Sequence, residues 1–189
     1  MKYFTKLFAV LAVIVLAGYY AQPIHAQVNI FPSYYEDFER GDGGWSPNGT
    51  NSSWELGYPQ KRDIYYPASG GNSWVTSLYN TYNSGEYSYL ESPVFDMSCF
   101  SRDPYLGFNH TYYLEDNYDF HWVEISIDGG AWQKLGHSWE ETGWYQNWWD
   151  DGQGQDIEVW GGNYQYNSGW EYAEHTLSGA AGSSNVRIR

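Results

Sequence analysis

The feature that most constrains the fold is an absence. After residue 26, no window of useful length shows the 3.6-residue apolar period of an amphipathic helix. Instead, short runs rich in Tyr, Trp, Val and Ile alternate with clusters of Gly, Asn, Asp, Ser and Pro. Such runs predict β-strands separated by turns, and many short strands are typical of a sandwich or a barrel. The predicted strands are Tyr34–Glu39, Trp54–Leu56, Trp74–Thr76, Tyr87–Ser92, Tyr105–Leu114, Trp122–Ile127, Trp132–Leu135, Trp170–Leu177 and Val186–Arg189.

One stretch, residues 122–135, carries a detailed hairpin prediction. Val123, Ile125 and Ile127 alternate with polar residues, so these three side chains are expected to face the core. Asp128 begins an Asp-Gly-Gly sequence, which is a strong signal for a tight turn between antiparallel strands. Trp132 then begins the return strand. Two long segments, residues 40–53 and 139–169, carry little strand signal and are predicted to be loops.

The N-terminus has the pattern of a secretory signal peptide. Lys2 and Lys6 precede the uncharged apolar run Leu7–Gly18, and a small residue, Ala26, ends a plausible cleavage site. The apolar run is shorter than the ~20 residues that span a bilayer. We therefore expect cleavage after residue 26, an exported domain over residues 27–189, and no membrane insertion after cleavage.

The charge balance restricts the possible partners. The whole chain has a net charge of −14. Removal of residues 1–26 takes away two of nine basic residues and leaves seven against 23 acidic ones, a net charge of −16. A surface this acidic repels nucleic acid and anionic membranes. Cys99 is the only cysteine, so no intrachain disulfide forms, and we expect a small, buried apolar role for it.

Several segments, taken in their order along the chain, carry a family resemblance. They are Asp37-Phe38-Glu39 with Gly44-Trp45, Tyr89 to Asp96, Leu106-Gly107-Phe108 before Tyr113 to Asp119, Trp122 to Gly130, Trp170 to Leu177, and Asn185 to Arg189. This order resembles the MAM-like jelly-roll domains of the concanavalin A-like superfamily, in the versions found in secreted bacterial surface proteins and beside some secreted metallopeptidases. The resemblance implies a two-sheet antiparallel jelly-roll sandwich over the mature chain.

The resemblance also has two departures. Animal MAM domains carry paired cysteines, whereas this chain has one cysteine. The family usually continues past its Val-Arg-Ile-Arg strand into a short acidic ending, which this sequence lacks. The final segment, Val186–Arg189, reads as the start of a strand, so we expect the sequence to be a piece of a longer protein with an incomplete metal site.

A catalytic interpretation of the hairpin strand is disfavoured. Related jelly-roll glycosidases place carboxylates at alternate positions of one strand, and retaining chemistry needs two carboxyl groups ~5 Å apart. Here Glu124 is followed by Ser126 in the middle position, and Asp128 falls in the turn. The sequence therefore predicts a module without catalysis of its own. A glycosidase or peptidase fragment is the less favoured alternative.

A structural calcium site is implied by the resemblance. Glu39 matches the glutamate of the family's opening strand, and oxygen donors that are candidates to join it are Asp42, Asp63 and Asn72. Asp42 and Asn72 are equally well interpreted as ordinary turn residues. The five histidines show no ligand spacing typical of a transition-metal site.

Aromatic residues are concentrated in the segment 139–169. Trp144, Tyr145, Trp148 and Trp149 form a candidate ligand-binding platform, since exposed aromatic rings stack on sugars or anchor a protein partner. The alternative is that these rings fill a core poor in Leu and Ile. The sequence thus predicts a secreted or cell-surface adhesion module that binds a glycan or a cell-surface protein. The runner-up is a carbohydrate-binding module attached to a secreted glycosidase or peptidase.

Overall fold

The computed structural model describes residues 27–30, 33–150, 156–161 and 169–189. The predicted signal peptide lies outside these residues. The described residues form strands and loops, and they include no helix, and so none that could cross a membrane. The strands are β1 (Gln27–Asn29), β2 (Ser46–Thr50), β3 (Trp54–Gly57), β4 (Ser73–Thr76), β5 (Tyr87–Glu91), β6 (Val94–Asp96), β7 (Tyr105–His110), β8 (Phe120–His121), β9 (Glu124–Ile127), β10 (Gln133–Lys134), β11 (Asn147–Asp150), β12 (Asp156–Gly161), β13 (Glu171–Thr176) and β14 (Val186–Ile188). The predicted all-β class is confirmed.

The described strands pair in five groups. The largest is a five-stranded sheet in the order β1-β6-β14-β9-β10, followed by a three-stranded group, β11-β12-β8. Three two-stranded ladders, β13-β7, β2-β5 and β3-β4, complete the set. All of these pairings are antiparallel except that of β1 with β6, which is parallel and departs from the wholly antiparallel prediction.

Left-handed residues at strand ends separate neighbouring ladders. Asn51 (φ 57°) directly follows β2, and Ser77 (φ 61°) directly follows β4. A positive φ turns the chain away from the extended path, so the hydrogen-bonded ladder ends there. These two residues therefore end β2 and β4.

The hairpin prediction is confirmed. Asp128 and Gly129 have φ values of 52° and 74°, as a type I′ turn requires, and the Gly130 N–H donates to Ile127 O at 2.9 Å. β9 and β10 then pair in antiparallel register. Val123 and Ile125 are buried and Ile127 packs against the core, so the predicted inward face is correct.

One hydrophobic cluster joins the five-stranded sheet to the β7–β13 ladder and to β12. On the sheet side, Val186 and Ile188 alternate with Arg187 and lie fully inside. Ala173 of β13 is completely buried in the same cluster, and Phe108 of β7 packs against it. The buried members are Ile30, Phe95, Met97, Tyr112, Val123, Ile125, Leu135, Trp144, Tyr145, Trp160, Ala173, Leu177, Ala180, Val186 and Ile188.

The strand prediction for Tyr34–Glu39 is wrong. Phe38 adopts φ 60°, and its N–H donates to the Glu36 side chain at 2.7 Å, so local hydrogen bonds replace a ladder. The predicted loops are also partly wrong. The segment 40–53 contains β2, whose sequence Ser-Pro-Asn-Gly-Thr has a loop-like composition, and the segment 139–169 contains β11 and β12.

Candidate functional site

The outer face of the hairpin strand is closed by ion pairs. Arg189 Nε donates to Glu124 Oε2 at 2.5 Å, and its guanidinium lies 4.5 Å from the centre of the Trp132 ring. The guanidinium is also 4.4 Å from the centre of the Tyr89 ring. Glu124 is therefore a charge-paired residue under an aromatic cover. This is how a structural carboxylate is held, and it does not resemble a general acid or nucleophile open to substrate.

The other two polar residues of the hairpin also have structural partners. Ser126 is buried, and its hydroxyl donates to Gly130 O at 2.7 Å. Asp128 accepts a short hydrogen bond from the Ser183 hydroxyl. Each of these side chains fixes the turn or its neighbour, so Glu124, Ser126 and Asp128 do not converge on a shared site.

Two of the predicted calcium ligands come together. Glu39 Oε1 accepts hydrogen bonds from the backbone N–H groups of Gly71 and Asn72, each at 2.8 Å. The Asn72 side-chain amide donates to Phe38 O at 3.4 Å. The carboxylate oxygen thus faces two hydrogen-bond donors, whereas a calcium ion is surrounded by oxygen atoms. These contacts clamp the segment around residue 39 onto the loop that precedes β4.

The other two predicted ligands have different roles. Asp42 Oδ1 accepts from Gly44 N at 2.9 Å, which is a turn hydrogen bond. Asp63 has Arg62 as its neighbour, with 3.8 Å between Oδ1 and Nε. Within the described ranges, no three His, Cys, Asp or Glu side chains gather as a metal site. Glu39, Asp42 and Asp63 therefore do not gather around one position, and calcium binding stays a prediction.

The predicted aromatic platform is split by the fold. Trp144 and Tyr145 are 1% and 0% exposed and belong to the core, so their expected place on an exposed surface is wrong. The Trp144 indole donates to Leu135 O at 3.1 Å, and the Tyr145 hydroxyl accepts from Val123 N at 3.0 Å. Burial raises the pKa of Tyr145 well above its ordinary value. The physical reason is that a core with few Leu and Ile residues is filled by aromatic rings.

The second half of the platform lies at the surface of the β11–β12 pair. Trp148 is 47% exposed and is paired directly with Glu158 across the ladder. Trp149 points to the opposite face, where its ring centre lies 4.5 Å from that of Phe120. Of the four platform residues, only Trp148 is exposed, and it has an acidic neighbour.

A buried histidine, His175, lies beside Trp144. It packs on the Trp144 ring, with 4.7 Å between ring centres. Its Nδ1 lies 2.8 Å from Thr176 O and its Nε2 lies 3.0 Å from Glu140 Oε2. The ring is therefore held between a backbone carbonyl and a carboxylate. The hydrogen bond from His175, with one from the His137 backbone, lowers the pKa of Glu140.

Two further histidines, His110 and His121, have lowered pKa values. His110 Nδ1 and His121 Nε2 lie 3.2 Å apart beside Trp160, whose ring centre is 4.6 Å from that of His110. Burial lowers the pKa of His110 to about 4, and burial followed by the charge of His110 lowers the pKa of His121 further below its ordinary value. A hydrogen bond between two imidazoles needs one acceptor nitrogen, which agrees with neutral rings.

Sequence reasoning missed a concave groove, which we call the tyrosine groove. It has a volume of about 410 Å³, within the range of about 300–1,000 Å³ that is common for ligand sites. Its aromatic and charged lining includes Arg62, Asp63, Tyr65, Tyr66, Tyr113 and Trp170.

The tyrosine groove is built on a rigid framework. Tyr113 follows β7 and Trp170 precedes β13, and these two strands pair so that His110 lies opposite Glu171. Both aromatic residues therefore extend from the same end of one ladder. The opposite wall is the loop between β3 and β4. The Trp170 indole donates a hydrogen bond to Tyr66 O of this loop at 2.9 Å, which joins the two walls.

Cys99 is exposed, contrary to the expected buried role. It follows β6 in a bend, where the Phe100 N–H donates to Met97 O at 3.1 Å. Met97 fills the core at this point and Cys99 is turned outward. A sequence pattern of alternating burial does not extend through such a bend.

The described chain is thus an all-β protein with a concave aromatic groove and a separately exposed tryptophan. It is similar to Bacillopeptidase F of Bacillus subtilis (strain 168), with 30% identity over 142 residues. That match covers 69% of this chain and 9% of the relative, so the chain spans less than a tenth of the length of that protein. No protein-family model matches the chain, and no solved structure matches it.

Proposed function

We propose that this chain is a MAM-like jelly-roll module without catalysis of its own, exported from the cell as part of a larger surface or secreted protein. Its task is recognition of a surface partner. The tyrosine groove is the observation that carries the proposal. It is concave, about 410 Å³ in volume, and three of its lining tyrosines, Tyr65, Tyr66 and Tyr113, are exposed.

The fold is compatible with the jelly-roll part of the proposal. A two-layer β domain places one core between sheets, and here Val186 of the five-stranded sheet and Ala173 of the β7–β13 ladder are both fully buried in the same cluster. The tight hairpin after Ile127 is also what an antiparallel sandwich uses to connect neighbouring strands.

The comparison supports an accessory role. The relative is named a peptidase, and the matched part is a small fraction of it. A stretch of this size that recurs within a far longer protein is consistent with one module among several. The predicted signal peptide supports export, and the groove rather than a carboxylate pair supplies a place for a partner.

The alternative function is a carbohydrate-binding module attached to a secreted glycosidase or peptidase. The same groove favours it, because tyrosine and tryptophan rings beside charged side chains suit a sugar. The two proposals share a binding surface and differ in the partner protein to which the module is joined.

Retention on cells tests the proposed function. The fluorescently labelled full chain is incubated with intact bacterial cells and purified cell walls, while casein and a panel of chromogenic glycosides are assayed for turnover. We expect retention without hydrolysis. Hydrolysis above a buffer control, or no retention on either surface, would contradict the proposal.

A further inference from the structure

The loop that forms one wall of the tyrosine groove is held in place before any ligand binds. It covers residues 58–72 between β3 and β4 and has no regular structure of its own. Pro59, Ile64 and Pro67 are buried, whereas Tyr65 and Tyr66 are 63% and 44% exposed. Loops of this length in compact domains usually have a functional role.

Hydrogen bonds fix the same loop at both ends and in the middle. Gln60 N donates to Leu78 O at 2.7 Å, and Lys61 Nζ donates to Thr76 O at 2.9 Å. Glu39 receives two backbone N–H groups at the other end, and the Trp170 indole binds Tyr66 O in between. The exposed rings are therefore presented on a backbone that loses little freedom on binding, which favours affinity.

The arrangement of the rings leaves flat faces open. Tyr65 and Tyr66 contact each other edge to face, with ring centres 4.9 Å apart and planes inclined by 66°. Tyr113 on the far side is 41% exposed. Two non-parallel aromatic faces with phenol hydroxyls, next to Arg62 and Asp63, offer stacking surfaces and hydrogen-bonding groups within one groove.

The charges of the groove favour a neutral ligand. Arg62 and Asp63 are neighbours of opposite sign, so their charges offset each other within the groove. The mature chain as a whole has a net charge of −16 by the predicted cleavage, which repels polyanions. A groove of about 410 Å³ has the volume of a site for a small ligand.

We infer that the tyrosine groove binds an uncharged oligosaccharide, whose pyranose rings stack on Tyr65, Tyr66 and Tyr113 while Arg62, Asp63 and the phenols bond its hydroxyls. A pyranose has one face of C–H groups and a rim of hydroxyls, which matches these two kinds of lining. The inference rests on the proposed recognition function and names its ligand class and its site.

The test compares two exposed tyrosines. The full-length chain is applied to an array of neutral hexasaccharides of glucose, mannose and N-acetylglucosamine, with heparin as the charged probe. Affinity for the strongest hexasaccharide is then measured by calorimetry for wild type, Tyr65→Ala and Tyr118→Ala. Tyr118 is 72% exposed and lies outside the groove, so it is a matched control.

The expected result is binding of a neutral hexasaccharide that falls about tenfold in Tyr65→Ala, the loss expected for one stacked ring, and stays within twofold in Tyr118→Ala. No binding of any neutral hexasaccharide, binding of heparin alone, or equal loss in both variants overturns the inference. If the chain is retained on cells but retention survives periodate oxidation of the glycans, recognition stands and the sugar assignment fails. If neither cells nor sugars are bound, both fail.

Discussion

Substitution of Gly136 by alanine tests where Trp144 and His175 lie. Gly136 has φ 70°, and a Cβ atom added there would lie 2.6 Å from Trp144 Nε1 and closer still to His175 Nε2. Alanine at positive φ costs about 1–2 kcal/mol. Forcing an extra carbon into a filled core costs about 1–3 kcal/mol more. We therefore expect Gly136→Ala to destabilise the fold by about 2–5 kcal/mol.

Gly85→Ala is the matched control for this substitution. Gly85 has a similar φ of 67°, but nothing lies within 4 Å of its added Cβ, so only the backbone term of about 1–2 kcal/mol applies. The difference between the two variants corresponds to about 2–12 °C in Tm for a domain of this size. Thermal unfolding followed by circular dichroism measures both. Equal decreases in Tm for the two variants would refute the packing of Trp144 and His175 around Gly136.

Three further predictions concern stability and metal binding. Trp144→Ala is expected to cost about 3–5 kcal/mol and Trp148→Ala less than about 1 kcal/mol in urea unfolding, because only the first ring is buried; similar losses would contradict this assignment. The pKa of His110 is about 4 in the folded chain and about 6.5 when unfolded, so the unfolded state binds more protons between these values and stability falls as the pH is lowered from 6.5 to 4. The loss is at most about 3 kcal/mol, and urea unfolding of His110→Leu should show a shallower dependence; an unchanged slope would place the titration elsewhere. Calcium is expected to raise the Tm and EDTA to lower it if Glu39 is a ligand, and an unchanged melt with EDTA would remove the calcium prediction.

The hairpin is predictable from sequence because its signals are local. Asp128 and Gly129 tolerate positive φ, and the alternation of Val123 and Ile125 assigns the inner face of the strand. Nothing outside these residues is needed to place the turn. The same locality explains the failure at Tyr34–Glu39, where a side chain captures a backbone N–H and the strand-like composition is overruled.

Composition does not predict which tryptophans are buried and which are exposed. Trp144 and Trp148 lie four residues apart in a segment without a clear period, and one is 1% exposed while the other is 47% exposed. Trp144 is buried against His175, which lies 31 residues further along the chain. An aromatic-rich segment therefore does not indicate which of its rings lie in the core and which lie at the surface.

The tyrosine groove escapes sequence reasoning for a topological reason. Its central hydrogen bond joins Trp170 to Tyr66, residues 104 positions apart. In the sequence, only the Tyr65-Tyr66 pair and the length of the loop point to this region. Neither feature indicates that the loop contacts Trp170, next to β13. Pairing of β7 with β13 is what brings Tyr113 and Trp170 to the same end of a ladder.

Retention of the labelled chain on cells, compared between Tyr65→Ala and Trp148→Ala, tests the central claim most directly. Both side chains are exposed, at 63% and 47%, so neither substitution is expected to unfold the domain. If the tyrosine groove is the recognition surface, Tyr65→Ala loses retention about tenfold and Trp148→Ala binds like wild type. Loss of retention in Trp148→Ala alone would contradict the account and place recognition on the outer face of β11 and β12.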